Sequence, residues 1–426
     1  MNDSNDIRGL PARAAALDLL TAALSRRAGL DEGLSHPALA ALAPRDRAFA
    51  RALVMAALRH LGPIDAALQS RLKKPPPERI VNVLRLGVTQ LLVLKLPPHA
   101  AVGATVDLTA AQKGGAAFKG LVNAVLRGLG REPPPIEDPS LLAPPWLAAR
   151  WRAAYGQADA DAIAALIAAE PATDITPKDA GDDLAAALEG EMLSGGSVRT
   201  GLKGEVSSWP GFADGRWWVQ DASAAVPARL LRVRPGETAL DLCAAPGGKT
   251  LQLAAAGAEV SAVDKSAGRL KRVAENLART GLRAETIAAD AATWKDPRTF
   301  DAVLLDAPCS ATGTFRRHPD VLWVASPADI PKLAAVQAAL LDSAARRVKP
   351  GGRLVYCVCS LEPEEGEGQV AAFLARTPGF ALDPITPGEG GAPEASLRPD
   401  GTLRILPHHL SGGTDGFFVA RMRRAD

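Results

Sequence analysis

The sequence predicts a multidomain chain: an all-α N-terminal domain, a small α+β intermediate subdomain, and an α/β domain on a doubly wound parallel sheet. Three observations predict it. Apolar residues recur three and four apart between residues 8 and 131. From Val233 onward, short apolar strands alternate with helices. Between them lie prolines and glycines that end helices and stiffen the chain. A length of 426 residues exceeds one ordinary core and suits two or three domains.

In the first part, helices are expected over Ala14–Leu24, Asp46–Leu61, Pro77–Leu96, Ala100–Gln112 and Phe118–Leu129. Breaks fall at Gly62-Pro63, Lys74–Pro77, Pro97-Pro98 and Gly114-Gly115. This domain is placed at residues 1–131 and a Pro-rich linker at 132–144. Residues 145–216 form the intermediate subdomain, opening on a helix that carries Trp146, Leu147, Trp151 and Tyr155. The α/β domain takes residues 217–426.

The α/β domain reads as strand Thr238–Cys243, a glycine loop, and a helix from Lys249 to Ala256. Strand Glu259–Asp264 and helix Gly268–Thr280 follow, then strands Ala284–Ala289 and Phe300–Asp306. Helix Asp329–Val348 precedes strand Arg353–Cys359, and Thr402–Leu406 with Gly416–Arg421 forms a closing hairpin.

Composition narrows the function classes. The net charge of +2 divides unevenly: residues 1–131 carry eighteen Lys and Arg against nine Asp and Glu, leaving the remainder acidic. A basic helical domain beside an acidic one points to a polyanionic partner held by the first part. The segment Met1–Asp6 has neither the basic nor the apolar region of a secretory signal, and the longest apolar run, Leu86–Leu96, is too short for a bilayer. Four cysteines, at 243, 309, 357 and 359, make no disulfide framework and no zinc-finger spacing, and His408-His409 has no second ligand pair. The chain is therefore expected to be cytoplasmic and monomeric, with no membrane segment and no metal.

Three motifs carry the chemistry. The first is Leu240-Asp-Leu-Cys-Ala-Ala-Pro-Gly-Gly-Lys-Thr250, a strand running through glycines into a helix, where backbone approaches a ligand closely. It is not a phosphate-cradling loop, because Cys243 and Pro246 break the pattern, and the G-x-G-x-x-G dinucleotide fingerprint is absent. Asp264, Asp290 and Asp306 stand at the ends of the next three strands, an acidic edge suited to ribose hydroxyls and a cationic ligand. The second motif is Asp306-Ala-Pro-Cys-Ser-Ala-Thr-Gly-Thr314, continuing to Phe315-Arg-Arg-His-Pro-Asp320. The third is Tyr356-Cys-Val-Cys-Ser-Leu-Glu-Pro-Glu-Glu365. Cys357 and Cys359 share one face of their strand. Nearness to the strand end favours Cys359 as the reactive thiol and leaves Cys357 as a small buried hydrophobe.

At these residues the chain resembles the NOL1/NOP2/Sun family of RNA cytosine-5 methyltransferases, on the side of its bacterial small-subunit ribosomal RNA branch. The three motifs stand in order and spacing, and Trp218–Ser223 is similar to the segment that opens the family's catalytic domain. The resemblance implies a Rossmann-like class I methyltransferase domain using S-adenosyl-L-methionine. It places the nucleophile on Cys359 and the cysteine assisting product release on Cys309. Cofactor contacts fall on Cys243, Ala244, Ala245, Pro246, Gly247, Gly248, Lys249, Asp264, Asp290 and Asp306; beside the resemblance, Arg269 is expected to join the cofactor set and Lys249 and Asp306 the catalytic set. Arg45-Asp-Arg47 and Gly120–Arg127 resemble the NusB-like RNA-binding helical domain of that branch, with 16S ribosomal RNA as the implied partner. Two departures stand out: Gly366 follows the paired glutamates where the family often has Asn, and Asp174–Lys178 replaces an L-R-x-N segment.

That activity explains the need for an activated thiol. A thiolate adding to carbon 6 of cytosine makes carbon 5 able to attack a sulfonium methyl. An unperturbed thiol ionises near pH ~8.5, so the nucleophile needs an electropositive setting, for which Lys249, Arg316 and Arg317 are candidates. Asp306 is placed to hold the amino group or N3 of the base. Two other readings remain open: a DNA cytosine-5 methyltransferase using Cys309, and a non-catalytic RNA-binding ribosome assembly factor.

Overall fold

The computed structural model describes residues 9–26, 29–136, 138–179 and 183–426; the Met1–Asp6 segment lies outside them. The chain divides into two units. One runs up to Ala169 and includes Arg317–Ala325; the other comprises Glu170–Arg316 and Ser326–Asp426. Among the described residues, no helix is long and apolar enough to cross a membrane.

The first unit is helical. Its main helices are Leu10–Ser25, Pro44–Arg59, Leu61–Gln69, Glu78–Val88, Pro98–Ala110, Lys119–Arg131, Pro145–Tyr155 and Gln157–Ala165. Three of them open on a proline, where a missing N–H costs nothing and φ is already helical. The expected break at Gly62-Pro63 falls three residues early. Pro63 is the third residue of a new helix, so Leu61–Gln69 is an element that the hydrophobic spacing alone missed. The apolar run at Leu86–Leu96 is a buried helix up to Val88 and then a π-helical turn, Thr89–Val93. One core gathers Leu17, Leu20, Leu53, Leu58, Val83 and Leu108; a second gathers Ile64, Leu84, Val88, Val122 and Leu126. Buried Gln90, in the π turn, accepts from Arg13 Nε at 2.6 Å and donates to Thr105, so its side-chain amide is satisfied. In the Arg317–Ala325 segment, Trp323 Nε1 donates to the Leu58 carbonyl at 3.0 Å.

The second unit holds two sheets. The smaller is antiparallel, with strands β1 (Thr173–Pro177), β2 (Gly190–Met192), β3 (Val198–Thr200) and β4 (Trp217–Val219) in the order β2-β3-β1-β4. It closes over Ile175, Val198, Trp209 and Trp217. Asp174, in the segment that departs from the family pattern, is buried and takes a two-pronged ion pair from Arg199 at 2.7 and 2.9 Å.

The larger sheet has strands β5 (Thr238–Leu242), β6 (Glu259–Asp264), β7 (Glu285–Ala288), β8 (Phe300–Asp306), β9 (Val348–Val358), β10 (Phe380–Leu382), β11 (Leu403–Ile405) and β12 (Phe417–Arg424). The order is β10-β12-β9-β8-β5-β6-β7, with β11 paired to β12. Strands β5 to β9 are parallel, and β10 to β12 add an antiparallel edge through the expected hairpin. The chain runs outward from β5 to β7, then crosses back to β8. The carboxyl ends of β5 and β8 therefore flank the switch point where ligands enter such sheets. Leu240, Leu242, Val303, Leu305, Leu354 and Tyr356 form the core on one face; Ala302, Leu304, Val355 and Cys357 face the other.

Candidate active site

Strand β5 ends at Leu242, one residue before the boundary expected, because Cys243 turns into the left-handed region at φ 63°. Gly247 follows at φ 108° and opens the helix Gly248–Ala255. A Cβ on Gly247 would press on Val273 at 3.1 Å, and one on Gly248 would meet Gln220 at 3.2 Å, so these two positions have little room for a side chain. Asp264, at the end of β6, is 2% exposed and organises this loop. Its Oδ2 accepts from Ala245 N at 3.2 Å and its Oδ1 from Ser266 N at 2.9 Å. Arg269 spans the same junction, 3.6 Å from Asp264 Oδ2 and bonded to the Ala245 carbonyl. Asp290 lies two residues beyond β7, is exposed, and caps its own turn by accepting from Ala292 N at 2.9 Å. Cys243 is a half-buried thiol, pushed up to about 12 by desolvation and by nearby Asp306 and Asp264; it is no nucleophile at neutral pH.

Asp306 ends β8. Its Oδ2 lies 2.7 Å from Lys249 Nζ, and its Oδ1 is 3.5 Å from Cys357 Sγ, the residue paired with it in the β8–β9 register. Burial works against the Lys249 charge, but Asp306 outweighs it and holds the amine protonated. The Phe417 ring lies 5.3 Å beneath the same nitrogen. Cys357 is fully buried and its thiol is raised by burial and by Asp306, so the expected small hydrophobe also borders this ion pair.

Just past the ends of β8 and β9, Cys309 Sγ and Cys359 Sγ face each other at 3.5 Å. The hydrogen bond to Cys359, then burial, hold the Cys309 thiol well above the ordinary range, so it stays protonated. The two loops are laced together. Gly313 N donates to the Cys359 carbonyl at 3.0 Å and Ala307 N to the Cys357 carbonyl at 3.0 Å. Glu365, wholly buried, accepts from Ser310 N at 2.9 Å, from Gln337 Nε2 at 3.0 Å, from Ser360 Oγ at 2.5 Å, and from Ser310 Oγ.

Of the two expected cations, Arg316 is committed elsewhere. Arg316 is 3% exposed, 3.5 Å from Asp221, and donates to the Gly412 carbonyl at 3.0 Å. Arg317 belongs to the helical unit. Among the described residues no group of three or more His, Cys, Asp and Glu is arranged to hold a metal. The sequence reading missed Glu365, Ser310, Ser360, Gln337 and Phe417. One visible signal was the Cys-Ser dipeptide repeated at 309–310 and 359–360.

The arrangement offers a glycine loop between acids, a charged amine against a carboxylate, and two thiols in contact. A sulfonium-bearing nucleoside fits it: glycine backbone could admit the ligand, and Asp264, Asp290 and Asp306 could offer acceptors and negative charge. Comparisons with known proteins agree. Residues 228–423 match the family described as 16S rRNA methyltransferase RsmB/F, and residues 10–131 match the NusB family. The ribosomal RNA small subunit methyltransferase B of Sodalis glossinidius is 38% identical, over 92% of this chain and 94% of its own length. The protein of that name from Salmonella enteritidis is 36% identical over 99% of each chain. A methyltransferase homologue protein from Pyrococcus horikoshii has a solved structure 27% identical, with a TM-score of 0.56, covering 66% of this chain and 95% of that one.

Proposed function

Because the chain belongs to the family of 16S rRNA methyltransferases RsmB/F, we propose that it methylates carbon 5 of a cytosine in small-subunit ribosomal RNA, using S-adenosyl-L-methionine and a covalent adduct on Cys359. The observation that carries this reading is the contact of Cys309 and Cys359 beside the Lys249–Asp306 pair.

S-adenosyl-L-methionine supplies an electrophilic methyl group, held by the loop Cys243–Lys249 with Asp264, Arg269, Asp290 and Asp306. The protein's own groups do the rest. Cys359 thiolate adds to carbon 6 of the base, pushing electron density onto carbon 5, which takes the methyl group. Asp306 accepts from the cytosine amino group and Lys249 polarises the ring beside it. A proton then passes from carbon 5 to water, the pair it leaves re-forms the carbon 5–carbon 6 double bond, and the carbon 6–sulfur pair returns to Cys359. The target base must be unstacked for carbon 6 to be reached. The basic helical domain, residues 1–131, grips the flanking phosphates.

The test is trapping with RNA carrying 5-fluorocytosine, whose fluorine cannot leave as a proton does. With the cofactor present, wild-type protein should give a denaturation-resistant complex that Cys359→Ala abolishes and Cys309→Ala retains. Loss of the complex with Cys309→Ala alone would reverse the two roles. No complex with any small-subunit RNA fragment would overturn the reading.

A further inference from the structure

We propose that Glu365 is a positioning residue that fixes the two thiols against each other and keeps Cys309 as the hydrogen-bond donor to Cys359. The proposal rests on the assignment of Cys359 as nucleophile. The residues immediately after the two cysteines, Ser310 and Ser360, belong to loops fifty residues apart in sequence. Glu365 holds both: Oε2 accepts from Ser310 Oγ and, at 2.5 Å, from Ser360 Oγ, while Oε1 accepts from Ser310 N at 2.9 Å. Ser310 Oγ and Ser360 Oγ are themselves 3.0 Å apart. Gln337, from the helix Asp329–Ala345, ties the Glu365 carboxylate and the Pro308 carbonyl together, each at 3.0 Å. The Glu365 carbonyl accepts from Tyr356 O–H, so the clamp is anchored in β9.

A structural clamp alone would not need a charge. Every side-chain partner of Glu365 is a neutral donor, and burying a carboxylate costs far more than burying an amide. Two consequences follow from the ionised form. A carboxylate accepts on both oxygens with no proton of its own to place among the donors from Ser310, Ser360 and Gln337, whereas an amide offers one acceptor oxygen. The carboxylate's negative charge also disfavours ionisation of Cys309, adding to the hydrogen bond that Cys309 donates to Cys359 and to burial. A protonated Cys309 can donate its S–H to the Cys359 sulfur. That donation stabilises the negative charge returning to Cys359 when the bond from carbon 6 breaks, with no net transfer of the Cys309 proton. Glu365 thus acts on product release through Cys309.

The test uses the full-length protein with Glu365→Gln and Glu365→Asp. Alkylation by iodoacetamide, resolved by cysteine-containing peptide, gives the pH at which Cys309 becomes reactive. Glu365→Gln should lower that midpoint by about one pH unit. With ordinary cytosine RNA and cofactor, the Gln variant should release product about tenfold more slowly and accumulate the adduct. Formation of the 5-fluorocytosine complex should change much less. Glu365→Asp should restore part of both. An unmoved Cys309 midpoint, or equal losses of adduct formation and release tracking a lower melting temperature, would overturn the proposal. If the Gln variant does not fold, Ser360→Ala removes one donor and leaves the charge. It should slow release without moving the Cys309 midpoint, and no slowing would overturn the clamp. Should wild-type protein form no 5-fluorocytosine complex, the proposed activity fails, while the alkylation midpoints still report what Glu365 does to Cys309.

Discussion

Lys249 Nζ stands 2.7 Å from Asp306 Oδ2, joining the helix after β5 to the end of β8 across the switch point of the sheet. The pair is formed by residues 57 positions apart, and Phe417 and Cys357 close it from β12 and β9. Lys249→Met keeps the length of the side chain and removes the charge. Turnover on a small-subunit RNA fragment should fall about 10²–10³-fold, as when a preorganised electrostatic group is lost from an active site. Circular dichroism should show the fold retained. Undiminished turnover would remove Lys249 from the catalytic set.

Asp241 should make stability depend on pH in the unusual direction for an acid. Burial raises its carboxyl to about 7, only partly opposed by the hydrogen bond from Thr250 and by Lys249; its Oδ1 has no hydrogen-bond partner among the described residues. With the folded value above the unfolded ~4, the native state holds the proton longer. Stability is therefore lost as pH rises from about 4 to 7. Between pH 5 and pH 8, Asp241→Asn should gain on wild type by about 2 kcal/mol in chemical denaturation. A constant difference across that range would contradict the assignment.

The Asp174–Arg199 pair should behave as one unit. Arg199 also donates to the Ser411 carbonyl at 2.6 Å and the Gly413 carbonyl at 2.7 Å, so it ties the small sheet to the loop before β12. Asp174→Ala strands a buried guanidinium and should cost about 3–5 kcal/mol. The double variant Asp174→Ala, Arg199→Ala should cost less than the sum of the single variants. Additive losses in urea denaturation would mean that the two residues act independently.

Gly313→Ala should damage catalysis through the backbone. A Cβ there would fall 2.2 Å from the Gly416 carbonyl oxygen, and Gly313 also bonds the Cys359 carbonyl and Gly416 N. The Cys309 loop would be pushed off the β9 end. A loss of about 1–3 kcal/mol in stability is expected, as for an overpacked site, with a larger fractional loss of turnover. Wild-type turnover would show that the loop tolerates the shift.

The strand-end chemistry was legible because strand, glycine loop and helix repeat along the chain. Cys309, Cys359, Asp306 and Lys249 all fell at boundaries that local hydrophobic pattern can mark. Glu365 was not legible as a clamp, since its partners Ser310 and Gln337 are 55 and 28 residues away and only the fold brings them in. Register explains Cys357: nothing local says that it pairs with Asp306 across β8 and β9. Arg316 looked like a cation for the thiol because its charge is visible in sequence and its partner Asp221 is not adjacent. The helix Leu61–Gln69 was hidden by Gly62-Pro63, a pair that reads as a break although proline is tolerated in a first helical turn.

Strand β12 is the last of the eight strands to leave the ribosome, yet it lies inside the sheet, between β9 and β10. During synthesis, β9 therefore waits as an open edge of unpaired N–H and C=O groups until residues 417–424 arrive. Phe417 comes with that strand, so the ring against Lys249 is delivered only with it. A nascent chain has its thiols and glycine loop well before it has a finished sheet, and competence to react comes only after residues 417–424 have emerged.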